Sequence, residues 1–182
     1  MRLFTALDIS DDARASLEEL VRLLAPAAPF QWSAPGNLHI TAKFIGRWPK
    51  ENYETLRLGL AAMPTPGPIE IAIRGLGWYP NPHSPRILFA GVAAGPGLAL
   101  LHAAIDAACA AIGVPAELKP FHPHLTLARV KTPDGLQAVR REIAQLAAAE
   151  FGQFTARAFH LYESVTRPGG SEYHKLEEFP LQ

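Results

Sequence analysis

The chain has 182 residues, 48% of them hydrophobic and 19% charged, which is typical of a folded globular protein and disfavours a disordered one. Lysine plus arginine and aspartate plus glutamate number 17 each, which disfavours a protein that coats long nucleic acid through bulk charge but leaves room for a local basic pocket. The single cysteine, Cys109, excludes an internal disulfide and indicates a cytoplasmic location, and no run of residues is long and apolar enough to span a bilayer.

The first half of the chain alternates between strand and helix patterns. Apolar residues three or four positions apart indicate helices, alternation of apolar and polar residues indicates strands, and proline and glycine mark the ends. The predicted elements are a strand at 2–9, a helix capped by Ser10 and ended by Pro26, a short strand at 30–34, a strand at 38–45, a helix at 50–62, and strands at 69–77 and 86–93. We expect the first of these segments to be a strand and not a signal peptide.

The second half repeats this plan. Its predicted elements are a helix with an apolar stripe from Leu98 to Ile112, a strand at 121–130, a helix capped by Thr132 with a stripe from Leu136 to Leu146, and strands at 153–165 and 173–179. We therefore predict a duplicated, two-lobed α+β fold, in which two antiparallel-rich sheets face a central cleft and the helices pack outside. Residues 1–182 would form a single domain of two pseudo-symmetric lobes that exchange strands.

One four-residue pattern, histidine–aliphatic–threonine–apolar, occurs once in each half. The first copy holds His39 and Thr41, and the second holds His124 and Thr126. Side chains two positions apart on a strand share a face, so the histidine and threonine of each copy point the same way. A single copy is more often structural, but two copies on neighbouring strands would bring two imidazoles and two hydroxyls to one site. That arrangement suits a phosphate ester attacked between an acid and a base.

Basic and aromatic residues near the two copies are candidates for binding substrate. Lys43 lies four positions after His39, so alternation predicts that it faces the cleft. Arg129 lies five positions after His124, so it reaches the cleft only if the strand ends or bulges; a guanidinium there could hold phosphate oxygens in a bidentate manner. The candidate platforms for stacking a base are Trp32, Phe121 and Tyr173.

A metal site is the competing interpretation of the second copy. His122 and His124 have a spacing that metal hydrolases also use. No aspartate or glutamate lies nearby in the sequence to complete such a site. We therefore expect neither a metal nor another cofactor.

Several segments carry a resemblance to a known family. They are Met1-Arg2-Leu3-Phe4 with Ala6-Leu7-Asp8, Asn37-Leu38-His39-Ile40-Thr41, Lys43-Phe44-Ile45-Gly46, Pro123-His124-Leu125-Thr126-Leu127-Ala128-Arg129, and, near the end, Ser164, Pro168-Gly169-Gly170, Tyr173 and Phe179-Pro180-Leu181. With them the chain resembles the 2H phosphoesterase superfamily, and within it the RNA 2′,3′-cyclic phosphodiesterases, also called LigT-like or 2′-5′ RNA ligase-like proteins. Ala42 departs from the leucine that is usual in the family.

This resemblance implies a metal-independent hydrolase that opens the 2′,3′-cyclic phosphate of RNA ends or nucleotides and leaves a 2′-phosphomonoester. In it His39 is the proton donor to the 3′ oxygen and His124 the proton acceptor from water, although the residues alone leave these two roles open. Thr41 and Thr126 would hydrogen-bond the phosphate oxygens. The alternatives are a 2′-5′ RNA ligase, which runs the reverse reaction, and a non-catalytic binder of RNA ends. We expect a monomer.

Overall fold

Nine β-strands and four α-helices make up the fold, and the computed structural model describes all residues from 1 to 182. In chain order they are β1 (Arg2–Leu7), α1 (Asp11–Leu24), β2 (Gln31–Trp32), β3 (Ile40–Arg47), α2 (Tyr53–Ala62), β4 (Ile69–Tyr79), β5 (Ile87–Ala94), α3 (Pro96–Ala110), β6 (His124–Arg129), α4 (Leu136–Ala144), β7 (Glu150–Ala156), β8 (Ala158–Arg167) and β9 (Gly170–Pro180). The order agrees with the predicted alternation of strands and helices.

The strands form two sheets. Sheet A has the order β3-β1-β8-β9 and sheet B the order β2-β6-β5-β4-β7, and every pairing within them is antiparallel. The prediction of two antiparallel sheets is thus confirmed. Sheet A joins strands from the two ends of the chain. The first motif strand, β3, lies in it beside β1, whereas its sequence neighbour β4 belongs to sheet B.

The helices cover the outer faces of the sheets. Helix α3 packs on β3 of sheet A, α2 packs on α3 and β9, and α1 packs on β7 of sheet B. Helix α1 therefore follows a strand of sheet A but covers sheet B, and α3 follows a strand of sheet B but covers sheet A. None of the helices combines the length and the apolar character that crossing a membrane requires.

The buried hydrophobic residues form one continuous core between the helices and the sheets. Leu17 and Leu24 of α1 and Leu125 and Leu127 of β6 belong to it. Cys109 of α3 is fully buried in the same core, and burial raises the pKa of its thiol to about 11. This cysteine therefore packs as an apolar residue, because a thiol that stays protonated is a poor nucleophile.

The strand predicted at 153–165 is in fact two strands. The chain leaves sheet B after β7 and enters sheet A with β8, and the change of sheet occurs at Arg157. Both strands are half-buried, so their local pattern does not reveal the break. What separates them is the choice of partner strand, which depends on distant parts of the chain.

The two predicted helix caps have different outcomes. Ser10 caps α1 as predicted, because its hydroxyl oxygen accepts a hydrogen bond of 3.2 Å from the backbone N–H of Ala13. Thr132 does not cap α4, since its hydroxyl donates to Asp134 instead. Gly135 precedes α4 in the left-handed region with φ 74°, a conformation that glycine adopts at little cost.

We expect Gly135→Ala to destabilise the fold by about 2–4 kcal/mol, because of its left-handed backbone and the clash of the new methyl group. A Cβ there would lie 2.3 Å from the carbonyl oxygen of Ala27. The matched control is Gly59→Ala inside α2, where a Cβ meets nothing within 4 Å. This substitution should stabilise the helix by about 1 kcal/mol, because alanine has the higher helix propensity. Urea denaturation of both variants measures the difference, and an equal effect on stability would contradict this account.

Candidate active site

His39 lies directly before β3 and is oriented by two hydrogen bonds. Its Nδ1 is 2.6 Å from the carbonyl oxygen of Asn37, and its Nε2 is 3.0 Å from the hydroxyl oxygen of Thr41. A carbonyl oxygen can only accept, so Nδ1 carries the hydrogen, and in the neutral ring Nε2 accepts from the hydroxyl of Thr41. The backbone therefore fixes which nitrogen of His39 is free to exchange a proton.

His124 begins β6 and is held in the same way. Its Nδ1 is 2.9 Å from the carbonyl oxygen of His122, again two residues earlier in the chain. The same argument places the hydrogen on Nδ1 and leaves the lone pair of Nε2 available in the neutral ring. The two histidines thus present the same nitrogen to their surroundings.

The two motifs lie close to each other, with β3 in contact with β6. Burial lowers the pKa of His39 most, and the positive charges of Arg129 and His124 lower it further. These charges act across the space between the His39-bearing face of sheet A and the His124-bearing face of sheet B, which we call the cleft. Two imidazoles and their threonines therefore border one cleft.

An extra residue in β3 changes which side chains reach the cleft. Thr41 pairs with Ala6 of β1 but Lys43 pairs with Thr5, so Ala42 is a bulge that has no partner of its own. A bulge of one residue shifts the alternation of faces by one position. The bulge thereby turns Lys43 to the face of sheet A that the helices cover and leaves the next residue, Phe44, on the cleft face.

The prediction that Lys43 faces the cleft is therefore wrong, and the bulge is the physical reason. The Lys43 side chain is 2% exposed, and its ammonium group lies 2.6 Å from a carboxylate oxygen of Asp106 on α3. It also donates to the carbonyl oxygen of Pro115 at 3.1 Å. This pairing holds the pKa of Asp106 below its ordinary value against the raising effect of burial. Lys43 joins sheet A to α3.

A matching bulge in β6 has the opposite consequence for its basic residue. Thr126 pairs with Phe89 of β5 but Ala128 pairs with Leu88, so Leu127 is the extra residue. The shift turns Arg129 to the face of His124 and Thr126, which meets the condition stated from the sequence. No carboxylate of the chain forms a salt bridge with Arg129, so its charge is free to act in the cleft.

Three aromatic rings enclose His39. The ring centroids of Phe4, Tyr173 and Tyr162 lie 4.9, 5.2 and 6.4 Å from that of His39. Tyr173 was expected near the site and is found there, whereas Phe4 was noted only as part of the first matching segment and Tyr162 was not singled out from the sequence. These rings remove water from the imidazole, and burial disfavours its charged form.

Asp8 anchors this aromatic group from behind. Its carboxylate accepts hydrogen bonds from the hydroxyl of Tyr162 and the ammonium group of Lys175, and His160 Nδ1 lies 3.6 Å away. Burial alone would raise the pKa of Asp8, but the hydrogen bonds from Lys175 and Tyr162 hold it below its ordinary value. The negative charge of Asp8 in turn raises the pKa of His39 and partly offsets burial. In the sequence, Asp8 was noted only as the last residue of the first segment that resembles the family.

His124 has a more open aromatic environment. The ring centroid of Phe89 lies 5.5 Å away, and the ring of Tyr79 lies 6.4 Å away and within 5° of parallel. Sequence reasoning did not find either residue, because neither belongs to a motif. Each histidine thus lies 6.4 Å from a tyrosine ring, Tyr162 for His39 and Tyr79 for His124.

The other two predicted platforms have different partners. Phe121 stacks on His102 of α3 at 4.1 Å, and His102 Nδ1 is 2.7 Å from the carbonyl oxygen of Ala42. Trp32 pairs with the buried Ala128, and its indole N–H donates to the carbonyl oxygen of Ala28. These rings support the motif strands from the side that faces the core.

The histidine pair at 122 and 124 forms no larger cluster of possible metal ligands. No group of three or more histidine, cysteine, aspartate or glutamate side chains comes together in the structure in a way that could hold a metal ion. The contact of His122 with His124 runs through its backbone carbonyl.

A comparison of the sequence with known families agrees with this geometry. The profile of the 2'-5' RNA ligase superfamily matches residues 9–167. The chain belongs to this superfamily. The resemblance inferred from the paired motifs is thus confirmed, since the match contains both of them.

Relatives and solved structures similar to this chain cover nearly all of it. A protein of Archaeoglobus fulgidus named RNA 2',3'-cyclic phosphodiesterase is 32% identical over 181 residues, which are 98% of this chain and 99% of that protein. A protein of Thermus thermophilus with the same name is 32% identical and covers 100% of this chain, which in turn covers 91% of that protein. The crystal structure of the Thermus thermophilus protein TT0787 has a TM-score of 0.82 at 31% identity, with 100% of this chain and 98% of that chain covered. That of E. coli LigT complexed with 3'-AMP has a TM-score of 0.79 at 24% identity, covers 99% and 97% of the two chains, and shows a shared fold.

We expect Lys43→Met to lower stability by about 3 kcal/mol, at the lower end of the range for breaking a buried pair because Asp106 keeps some contact with solvent. The double variant Lys43→Met with Asp106→Leu should recover part of this loss, since no carboxylate remains unpaired. Urea denaturation measures both. A Lys43→Met protein with unchanged stability but weakened binding of inorganic phosphate would instead place Lys43 in the cleft.

We expect Asp8→Asn to lower the pKa of His39 further, because the negative charge that favours the imidazolium form is removed. Histidine ring signals followed by ¹H–¹⁵N NMR across a pH series give this pKa directly. The control is Glu54→Gln, which removes a carboxylate that pairs with Arg57 on the surface of α2 and should leave the His39 titration unchanged. A His39 titration that is the same in Asp8→Asn and wild type would refute the electrostatic role of Asp8.

Proposed function

We propose that the protein hydrolyses the 2′,3′-cyclic phosphate at RNA ends or on nucleotides and leaves a 2′-phosphomonoester. The observation that carries the proposal is the presence of two imidazoles on one cleft. In each of them Nδ1 is hydrogen-bonded to a backbone carbonyl, which leaves Nε2 as the nitrogen that can exchange a proton. Two full-length relatives with the name RNA 2',3'-cyclic phosphodiesterase support the choice of substrate. The protein is on this proposal an enzyme that needs no metal.

The reaction needs one proton taken from water and one given to the ribose. In our proposal Nε2 of His124 accepts the proton of the attacking water as the new P–O bond forms. Nε2 of His39 donates a proton to the 3′ oxygen as its bond to phosphorus breaks. Imidazole serves either role near neutral pH because its ordinary pKa is about 6.5.

Burial opposes the proposed role of His39 as the acid, because it lowers the pKa and favours the neutral ring. The hydrogen bond to the carbonyl oxygen of Asn37 acts in the other direction and raises the pKa of His39, and two negative charges do the same. Asp8 already raises the pKa in the free protein, and a bound phosphodiester would add a second anion next to the ring. The proton donor would therefore form when substrate binds, in a site from which the aromatic rings exclude water.

The remaining cleft residues would bind the phosphate and the nucleoside. Thr41 and Thr126 would donate hydrogen bonds to the non-bridging oxygens, where charge develops in the transition state. Arg129, which the bulge at Leu127 turns to the face of His124, would bind phosphate oxygens through two parallel hydrogen bonds. Tyr173, which packs against His39, would line the nucleoside side of the pocket.

We expect His39→Ala and His124→Ala each to reduce hydrolysis of a cyclic nucleotide by about 10²- to 10⁴-fold, the usual contribution of a positioned acid or base. Wild-type activity should depend on pH in a bell shape, because one imidazole must be charged and the other neutral, and it should persist in EDTA. Initial rates with circular dichroism as a control for folding test this. Wild-type activity in either variant would show that the assignment of that histidine is wrong.

The family also suggests the reverse reaction, in which the same site joins RNA ends through a 2′-5′ linkage. Chromatography of products from RNA fragments that end in a cyclic phosphate distinguishes the two directions. A protein that only binds such ends would give neither product, and its binding would change little with pH.

We further infer that the chain acts as a monomer in the cytoplasm and forms one domain of two related lobes. Two features support the lobes, namely one motif strand in each sheet and a bulge at the same motif position in both. The cleft requires no second copy, since both histidines belong to one chain. The buried Cys109, whose pKa is raised to about 11, is compatible with a reducing compartment.

A further inference from the structure

One side chain of helix α3, His102, contacts the segments that carry both histidines of the cleft. Its Nδ1 lies 2.7 Å from the carbonyl oxygen of Ala42 in β3. Its ring stacks on that of Phe121, with centroids 4.1 Å apart and planes within 3° of parallel. Phe121 belongs to residues 111–123 between α3 and β6, which we call the connecting segment. His102 therefore joins the first motif strand to the approach of the second.

The contact with Ala42 holds the backbone at the bulge of β3. Ala42 is buried and has no partner residue in β1, and a buried carbonyl in an irregular strand needs a donor. A carbonyl oxygen only accepts, so Nδ1 of His102 carries the hydrogen of this bond. The residue before Ala42 is Thr41, whose hydroxyl oxygen lies 3.0 Å from Nε2 of His39. A shift of the Ala42 carbonyl would therefore move Thr41 and change the surroundings of His39.

The contact with Phe121 holds the backbone directly before β6. Phe121 precedes His122, whose carbonyl oxygen lies 2.9 Å from Nδ1 of His124. Pro123 stands between the two histidines, and its ring fixes its own φ and restricts the residue before it. The chain from Phe121 to His124 is therefore stiff, and a shift of the phenyl ring is transmitted to the imidazole of His124.

A second residue of α3 binds the same two segments. Asp106 follows His102 by about one helical turn and so shares its face. Its carboxylate accepts hydrogen bonds from the ammonium group of Lys43 at 2.6 Å and from the backbone N–H of Glu117 at 3.0 Å. Lys43 follows Ala42 in β3, and Glu117 lies in the connecting segment. Two points of attachment to one helix face fix the separation of the segments as well as their direction.

We propose that His102 is a positioning residue that holds His39 and His124 at the separation at which both reach one phosphorus atom, an inference that rests on the proposed function. Imidazole suits this position because Nδ1–H donates in the ring plane while the stack uses the ring face. A misplacement of about 1 Å caused far from the reacting atoms can lower a rate by about 100-fold. Binding of the phosphate by Arg129 needs no fixed distance between the histidines, so the loss of His102 should affect turnover more than binding.

Steady-state kinetics with adenosine 2′,3′-cyclic phosphate tests the proposal. We expect His102→Ala to lower kcat by about 10- to 100-fold and to leave KM within about 3-fold of wild type. His102→Phe keeps the stack and His102→Gln keeps a donor, so their kcat values should lie between those of His102→Ala and wild type.

The matched control is Leu98→Ala, which removes a buried side chain from the first turn of α3. It separates general damage to the helix from loss of the contacts of His102, and its kcat should stay near wild type below its unfolding temperature. A wild-type kcat in His102→Ala, or an equal loss in Leu98→Ala, overturns the proposal.

An NMR measurement keeps a failure of this inference distinct from a failure of the proposed function. The charge of His124 lowers the pKa of His39, and this effect weakens as the two rings move apart. His124→Ala should therefore raise the pKa of His39 in the wild-type background, and should raise it less in the His102→Ala background. The ¹H–¹⁵N ring signals of His39 across a pH series measure both changes without turnover. A smaller change supports the positioning role even if no substrate is hydrolysed, and equal changes in the two backgrounds refute it.

Discussion

The arrangement of the cleft depends on one extra residue at the fourth motif position of each motif strand. In a regular strand every second side chain shares a face, and neither Phe44 nor Arg129 would then lie on the face of its histidine. The bulges at Ala42 and Leu127 reverse that parity after the histidine and threonine have been placed. They also direct Lys43 and Ala128 into contact with the packed interior. The site and the core therefore share one backbone irregularity, and helix α3 supports it through His102 and Asp106.

The two histidines have the same tautomer but different surroundings. His39 is enclosed by Phe4, Tyr162 and Tyr173, and burial lowers its pKa while the charge of Asp8 raises it. His124 contacts Phe89 and the exposed ring of Tyr79. An imidazole in a dry environment responds strongly to a nearby charge, because a low local dielectric strengthens electrostatic interactions. The different surroundings provide a physical basis for assigning different proton-transfer roles to two otherwise equivalent motifs.

Local sequence patterns determined much of this protein. The alternation of residues placed the motif strands, the apolar stripes placed the helices, and the repeated histidine and threonine identified the family and the candidate centre. These features depend on neighbours within a few positions, where hydrogen bonding and side-chain direction follow directly from the backbone. Ser10 as a helix cap and Cys109 as a core residue are of the same kind.

The tertiary structure alone decided the features that depend on partner strands. Whether Lys43 meets phosphate or Asp106, and whether residues 153–165 form one strand or two, depends on which distant strand pairs with each segment. A bulge leaves little trace in the sequence, because the extra residue, such as Ala42, is an ordinary apolar side chain. Tyr79 and Asp8 became part of the site for the same reason, since contacts across the sheets brought them to the histidines. Local periodicity reports the conformation of a segment, whereas register and sheet partners are set by the packing of the whole chain.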